Sequence, residues 1–241
     1  MRRHFLLLAV FPLLCLLPAA LASAETVVES WRSPFGASYA VAVAADGSCW
    51  ASTGASVMHI ATDGHVLSQT DGFRFPLALS PAPDGGCWVT DSLQGVAVRL
   101  GPDGKELWRK DGFPQSSGLS AEPISVNPMD GTAWLANPNQ GMVFRLGTDG
   151  AVLATASVFF PLSVSLNPSD STCWVAGGGD AYGYVAHLGL DGSQLWRGTS
   201  FTNPKWVSVD PSDGSCWVAN LTDIAHLDAS GGRCRRGRCR S

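Results

Sequence analysis

Short apolar runs alternate with turn residues along this chain, and nothing after residue 24 carries a helical period. The clearest runs alternate large and small residues: Val41-Ala42-Val43, Leu77-Ala78-Leu79, Ile124-Ser125-Val126, Val164-Ser165-Leu166 and Val207-Ser208-Val209. Period-two alternation of this length predicts strands, and the small middle residue fits crowding where strands converge on an axis. Turns follow, most plainly Asn127-Pro-Met-Asp-Gly131 and Asp210-Pro-Ser-Asp-Gly214. Proline presets its φ, Asp bonds its own backbone and Gly takes positive φ. A second strand then carries Trp, and a third runs through Val98–Leu100 or Phe144–Leu146. After an Asp-Gly turn comes a fourth, around Lys105–Arg109, Ala151–Ala156 or Ser193–Arg197.

Two anchors fix the register of these four-strand copies. A small residue precedes Trp at Cys49-Trp50, Cys87-Trp88, Ala133-Trp134, Cys173-Trp174 and Cys216-Trp217, spaced 38 to 46 residues apart. A basic residue precedes Leu or Ile at His59, Arg99, Arg145, His187 and His226. Asp-Gly follows it at Asp63, Asp103, Asp149 and Asp191, and Ser230-Gly231 stands there in the fifth copy. Such a period is that of propeller blades. On these marks residues 25–231 resemble NHL-type repeats of exported bacterial propellers, similar in fold to streptogramin lyase-like and gluconolactonase-like proteins. The resemblance implies an all-β propeller of four-stranded blades, five of them visible. The marks of WD40 and kelch repeats are absent.

The ends are read separately. Met1-Arg-Arg-His, the apolar run Phe5–Leu17 and Ala22-Ser-Ala24 form a secretory signal peptide over residues 1–24, which makes the mature protein secreted, periplasmic or held at the cell surface. No later apolar run approaches the roughly 20 residues of a spanning helix. The segment Thr26–Arg32 resembles the outer strands Glu106–Arg109 and Gln194–Arg197, while the fifth copy loses its pattern at Gly232. Two readings follow. Either Val27 and Val28 pair with the strand around Ile224–Leu227 and clasp a five-bladed ring, or the Arg/Cys tail over 233–241 replaces further blades, giving six or more. The propeller domain is set at 25–232, and the basic tail is expected to be disordered.

Charge narrows the partners. Residues 25–232 hold nine Lys and Arg against all 20 Asp and Glu, a net of −11, which repels phosphate backbones and argues against nucleic acid. Ala133 replaces Cys at one repeat position, so Cys49, Cys87, Cys173 and Cys216 read as buried free thiols. Arg99 and Arg145 share the position of His59, His187 and His226, which makes a metal role there untenable and a structural one expected. The Asp-Gly turns match no calcium loop, the tryptophans read as packing between blades, and no nucleophile elbow, zincin or phosphate-loop motif occurs.

Two function classes remain. The first is a non-catalytic, monomeric binding propeller for a protein, glycan or small molecule, with no cofactor. The second, implied by the resemblance, is a metal-dependent lyase or lactonase-type hydrolase with one divalent cation at the central channel. In either case function belongs on the variable loops, between second and third strands and between blades. The candidate ligand residues there are Arg74, Asp91, Gln94, Asn137, Asn139, Tyr182, Lys205 and Trp206.

Overall fold

The computed structural model describes residues 38–113, 123–178 and 183–234. They form five antiparallel sheets in propeller arrangement. Blade 1 comprises β1 (Ser38–Val43), β2 (Cys49–Thr53), β3 (Ser56–Ile60) and β4 (Val66–Asp71). Blade 2 comprises β5 (Pro76–Pro81), β6 (Cys87–Asp91), β7 (Val96–Leu100) and β8 (Glu106–Lys110). Blade 3 holds β9 (Ile124–Val126), β10 (Ala133–Asn137), β11 (Met142–Leu146) and β12 (Val152–Ser157). Blade 4 holds β13 (Pro161–Leu166), β14 (Cys173–Gly177), β15 (Tyr184–Leu188) and β16 (Gln194–Gly198). Blade 5 has β17 (Trp206–Val209), β18 (Cys216–Ala219) and β19 (Ile224–Leu227). Four sheets have four strands and the last has three, each in simple sequence order.

The two anchors explain how one blade is seated on the next. Trp50 and Val57 pack against Cys87, Val89, Val98 and Leu100 of the following blade. Trp88 meets Ala133, Leu135 and Leu146; Trp134 meets Cys173, Val175 and Leu188; Trp174 meets Cys216, Val218 and Leu227. Each indole therefore presses on the small residue of the next copy, which is why that position accepts only Cys or Ala. All four cysteines are free. Burial drives the thiols of Cys87, Cys173 and Cys216 far from ionisation, with Cys216 pushed up to about 12.

The basic anchor lies opposite the Trp on the neighbouring strand. His59, His187 and His226 stack on Trp50, Trp174 and Trp217 at centroid distances of 4.2, 4.3 and 4.0 Å. Their Nε2 atoms bond Ser48, Thr172 and Ser215 hydroxyls at 2.7, 2.8 and 2.9 Å. These rings tie the turn after the inner strand to the blade, the structural role expected of them. Burial holds the His187 imidazole below its ordinary pKa, against the opposing pull of Asp170. The unfolded chain therefore takes up that proton first, and His187 withdraws stability as pH falls through about 6.5. We expect the urea midpoint to drop between pH 7.5 and 5.5, and the drop to shrink in His187→Gln.

The inner strands pack in series, β1 on β5, β5 on β9, β9 on β13 and β13 on β17, and this extensive packing does not return from β17 to β1. Their small middle residues do more than relieve crowding. Ser80, Ser125 and Ser165 each accept a backbone N–H from the next inner strand, of Val126, Leu166 and Val209, at 3.2, 3.1 and 3.0 Å. Between blades 1 and 2 the bond is missing on both sides: Ala42 stands at the serine position, and Pro81 has no N–H to give.

At the C-terminal end backbone pairing continues two residues past Gly232. The turn there closes through Gly231 N–H to Asp228 O, Leu227 bridges to Arg233, and Cys234 N–H donates to His226 O at 2.8 Å. Leu188 meets Gln194, and Leu100 meets Glu106, at the same offset of six residues. A fourth strand has begun in register. Val27 and Val28 lie outside the described residues, and part of the edge they were expected to use is already engaged.

Candidate functional site

The inner strands enclose a cleft of about 520 Å³, lined by Tyr39, Val41, Leu77, Leu79, Ile124, Val164, Trp206 and Val207 with Ala40, Ala78, Pro123 and Ser163. It lies along the first halves of these strands, on the side of the variable loops. Trp206 is 63% exposed and Tyr39 44%, so two aromatic faces are open to an occupant. The surroundings of Trp206 hold it in place. Lys205 N–H donates to Ala219 O at 2.9 Å, and Asn203 in the connection before it takes φ +50.

Several sequence candidates lie outside the cleft lining and hold the loops around it. Asp91 is fully buried, and its carboxylate accepts the backbone N–H groups of Arg74, Phe75, Leu93 and Gln94 at 2.6, 3.1, 3.1 and 3.0 Å. It clamps the connection between blades 1 and 2 to its own loop. Phe75, held in this way, packs its ring 4.7 Å from that of Tyr39. Gln94 is spent as well, donating to Gly72 O at 2.8 Å and accepting from Arg109 at 2.6 Å. Asn137 repeats the Asp91 position in blade 3: it is buried and accepts Gln140 N–H at 3.0 Å, while Gln140 reaches Gly112 O at 3.0 Å. The Asp91 carboxylate and Asn137 Oδ1 thus hold loop backbone, and Gln94 bridges Gly72 to Arg109, while Asn137 Nδ2 is buried without a hydrogen-bond partner among the described residues.

Arg74, Asn139 and Lys205 are exposed, but their side chains are not among the cleft lining. Tyr182 lies outside the described residues. Of the seven candidates among the described residues, Trp206 alone lines the cleft. Sequence reasoning missed Tyr39 and the leucines of β5; the available signal was the large residue flanking each small one in the inner strands.

The cation expected at the channel can be tested on these donors. The cleft offers one serine hydroxyl, and none of its lining residues carries a carboxylate, imidazole or thiol. Among the described residues no three His, Cys, Asp or Glu converge in a metal-holding group. The residues present here do not fit a divalent ion.

A second cavity, of about 490 Å³, lies among the turns of blades 3 to 5, lined by Asn127, Met129, Asp130, Pro168, Ser169, Ser171 and Pro211. Its polar groups satisfy one another: Asn127 Nδ2 donates to Ser171 Oγ at 2.7 Å, and Asp130 accepts from Thr132 at 2.8 Å.

No protein-family model matches the chain, and no curated protein does either. Solved structures do. A streptogramin B lyase aligns with TM-score 0.64 at 18% identity, covering 80% of this chain and 65% of that one. A catalytically inactive virginiamycin B lyase from Staphylococcus aureus, solved with quinupristin, aligns at 0.63 and 14% identity, covering 82% and 68%. Hydrazine synthase from Kuenenia stuttgartiensis aligns at 0.63 and 15%, covering 79% and 66%. The chain thus shares the propeller fold of these proteins and spans about two thirds of their length. At such identity the likeness concerns fold alone, and the same fold serves unlike chemistries.

Proposed function

We propose that the protein is an exported propeller that binds a small, largely apolar molecule in the inner-strand cleft, against Trp206 and Tyr39. The observation that carries this reading is the cleft itself: concave, apolar and walled by two open aromatic rings, the usual character of a small-molecule site. The lyase structures favour a small-molecule role over a protein scaffold, and one of them is a complex with quinupristin. That compound is the natural first probe. Quinupristin is expected to raise the melting temperature of the wild-type protein, and Trp206→Ala to abolish the rise without changing the melting of the free protein. A wild-type protein indifferent to quinupristin and to a panel of apolar macrocycles would count against the reading.

A second reading, supported by the same kinship with lyases, is that the bound molecule is also turned over. The donors for a metal would then have to come from beyond the described residues. Mass spectrometry of quinupristin incubated with the protein, with and without added divalent cations, separates the two readings. Intact compound in both samples leaves binding alone.

A further inference from the structure

The inner strands carry two tiers of backbone N–H groups on the edge turned away from their second strands. In an antiparallel ladder every other residue points both its N–H and its C=O outward, and the pairings set which ones. The lower tier is Val126, Leu166 and Val209, opposite Ala133, Cys173 and Cys216. Each of these N–H groups donates to the serine that the preceding inner strand sets opposite its Trp, at 3.2, 3.1 and 3.0 Å. Two residues earlier in each strand comes the upper tier: Leu79, Ile124, Val164 and Val207, opposite Val89, Leu135, Val175 and Val218. All four line the cleft.

The upper tier is capped at one place. Val207 N–H donates to Ser163 Oγ at 3.2 Å, across the junction of blades 4 and 5. Ser163 lies opposite Ala176, two residues after Trp174. The same repeat position holds Ala40, opposite Ser52, in blade 1 and Ala78, opposite Thr90, in blade 2. In blade 3 it holds Pro123, whose carbonyl accepts Ala136 N–H. None of these three side chains has a hydroxyl. The N–H groups of Leu79, Ile124 and Val164 therefore meet no oxygen where Val207 meets one, and no other acceptor among the described residues takes them.

We infer that these three N–H groups are the polar seat of the cleft, where the bound molecule supplies carbonyl oxygens in place of the missing serines. This rests on the cleft being the small-molecule site proposed above. The carbonyls of the same residues also face outward, so donors and acceptors are mixed along the wall. A mixed wall with no charged side chain in its lining suits neither sign of charge, and an ion would lose its water there without a counter-charge. A hydrocarbon would cover the donors without pairing them, at the cost of their desolvation. The ligand class is thus an uncharged compound with an apolar body and ketone, ester or amide oxygens.

Three probes that share a phenyl ring test this: the dimethylamide of hydrocinnamic acid, hydrocinnamate itself, and the dimethylamine in which a methylene replaces the carbonyl. Nitrogen–proton NMR spectra of the labelled protein follow the Trp206 indole N–H, which reports occupancy, and the amides of Leu79, Ile124 and Val164. The dimethylamide is expected to move the indole signal and shift the three amide protons downfield. The amine and the carboxylate should bind more weakly and give no such downfield shift. Ala78→Ser sets a hydroxyl where Ser163 has one, so it should cap Ile124 N–H and weaken the dimethylamide roughly fivefold. Ala40→Ser does the same for Leu79 and stands in if the first variant misfolds. A dimethylamide that moves Trp206 and leaves the three protons unshifted overturns the inference while the apolar site stands. So does an ion that binds as tightly as the amide, or a folded serine variant with full affinity for it. Silence at Trp206 with every probe overturns the inference together with the reading of the cleft.

Discussion

Alanine at Gly192 is expected to cost roughly 3 kcal/mol and to lower the melting temperature by about 10 °C. Gly192 has φ +82, and a Cβ there would lie 2.3 Å from the carbonyl oxygen of Thr155 and 2.9 Å from its carbon. Both atoms are backbone of the preceding blade's outer strand, so the clash is relieved only by moving one blade off another. The same contact recurs around the molecule: the corresponding Gly104, Gly150 and Gly231 meet Ser68, Trp108 and Trp196 of the blade before them. Gly112 is the control. Its φ is +105 but its surroundings are open, so Gly112→Ala should cost only the backbone term, about 1 kcal/mol. Equal shifts for the two variants, read by calorimetry, would show that these turns need glycine for conformation alone and not for blade contact.

Trp174→Ala should be the most damaging of the tryptophan truncations, at about 4 kcal/mol. Trp174 is fully buried, between His187 stacked at 4.3 Å and the Cys216 face of blade 5, with Trp196 tilted against it at 5.7 Å. Removing the indole empties a junction whose backbones are held by serine bonds on the inner side and cannot collapse. Trp217 has the same position in its repeat and the same histidine stack, yet no following blade among the described residues covers its outer face, and it is 48% exposed. In dilute solution Trp217→Ala should cost less than about 1 kcal/mol. The pair separates what the repeat specifies locally from what burial contributes. A Trp217→Ala loss as large as that of Trp174→Ala, measured by denaturant titration, would mean that the stack, not the junction, carries the energy.

The sequence made the blades readable because strand alternation, turn glycines and the two anchors are local and recur in one register. The free thiols were legible for the same reason, since Ala133 shows what the position requires. What stayed hidden depended on direction. Asp91 and Gln94 sit in a loop of variable composition, and a polar side chain there reads alike whether it turns outward to a ligand or inward to four amides. The serines of the inner strands looked merely small, because their hydroxyls find partners some 40 residues away, at Val126, Leu166 and Val209. Tyr39 precedes the first alternating triplet and so escaped notice as a cleft residue. At the far end, Arg233 and Cys234 break the composition of the repeat while keeping its backbone register, and composition was the louder signal.

The seam between blades 1 and 2 has a consequence for how one wall of the cleft is held. At the rim the two blades are fastened: His59 Nδ1 lies 3.2 Å from Pro102 O, and Thr70 Oγ1 donates to Gly104 O at 2.5 Å. Along the axis, where Ala42 faces Pro81, no such stitch exists. The inner edge of blade 1 carries Tyr39 and Val41, one wall of the cleft. What seats that wall is therefore side-chain packing, with the Tyr39 ring against Phe75 and Phe75 in turn fixed by the Asp91 carboxylate, where the later junctions add a serine bond. The first wall of the cleft thus depends on a single buried carboxylate in the neighbouring blade.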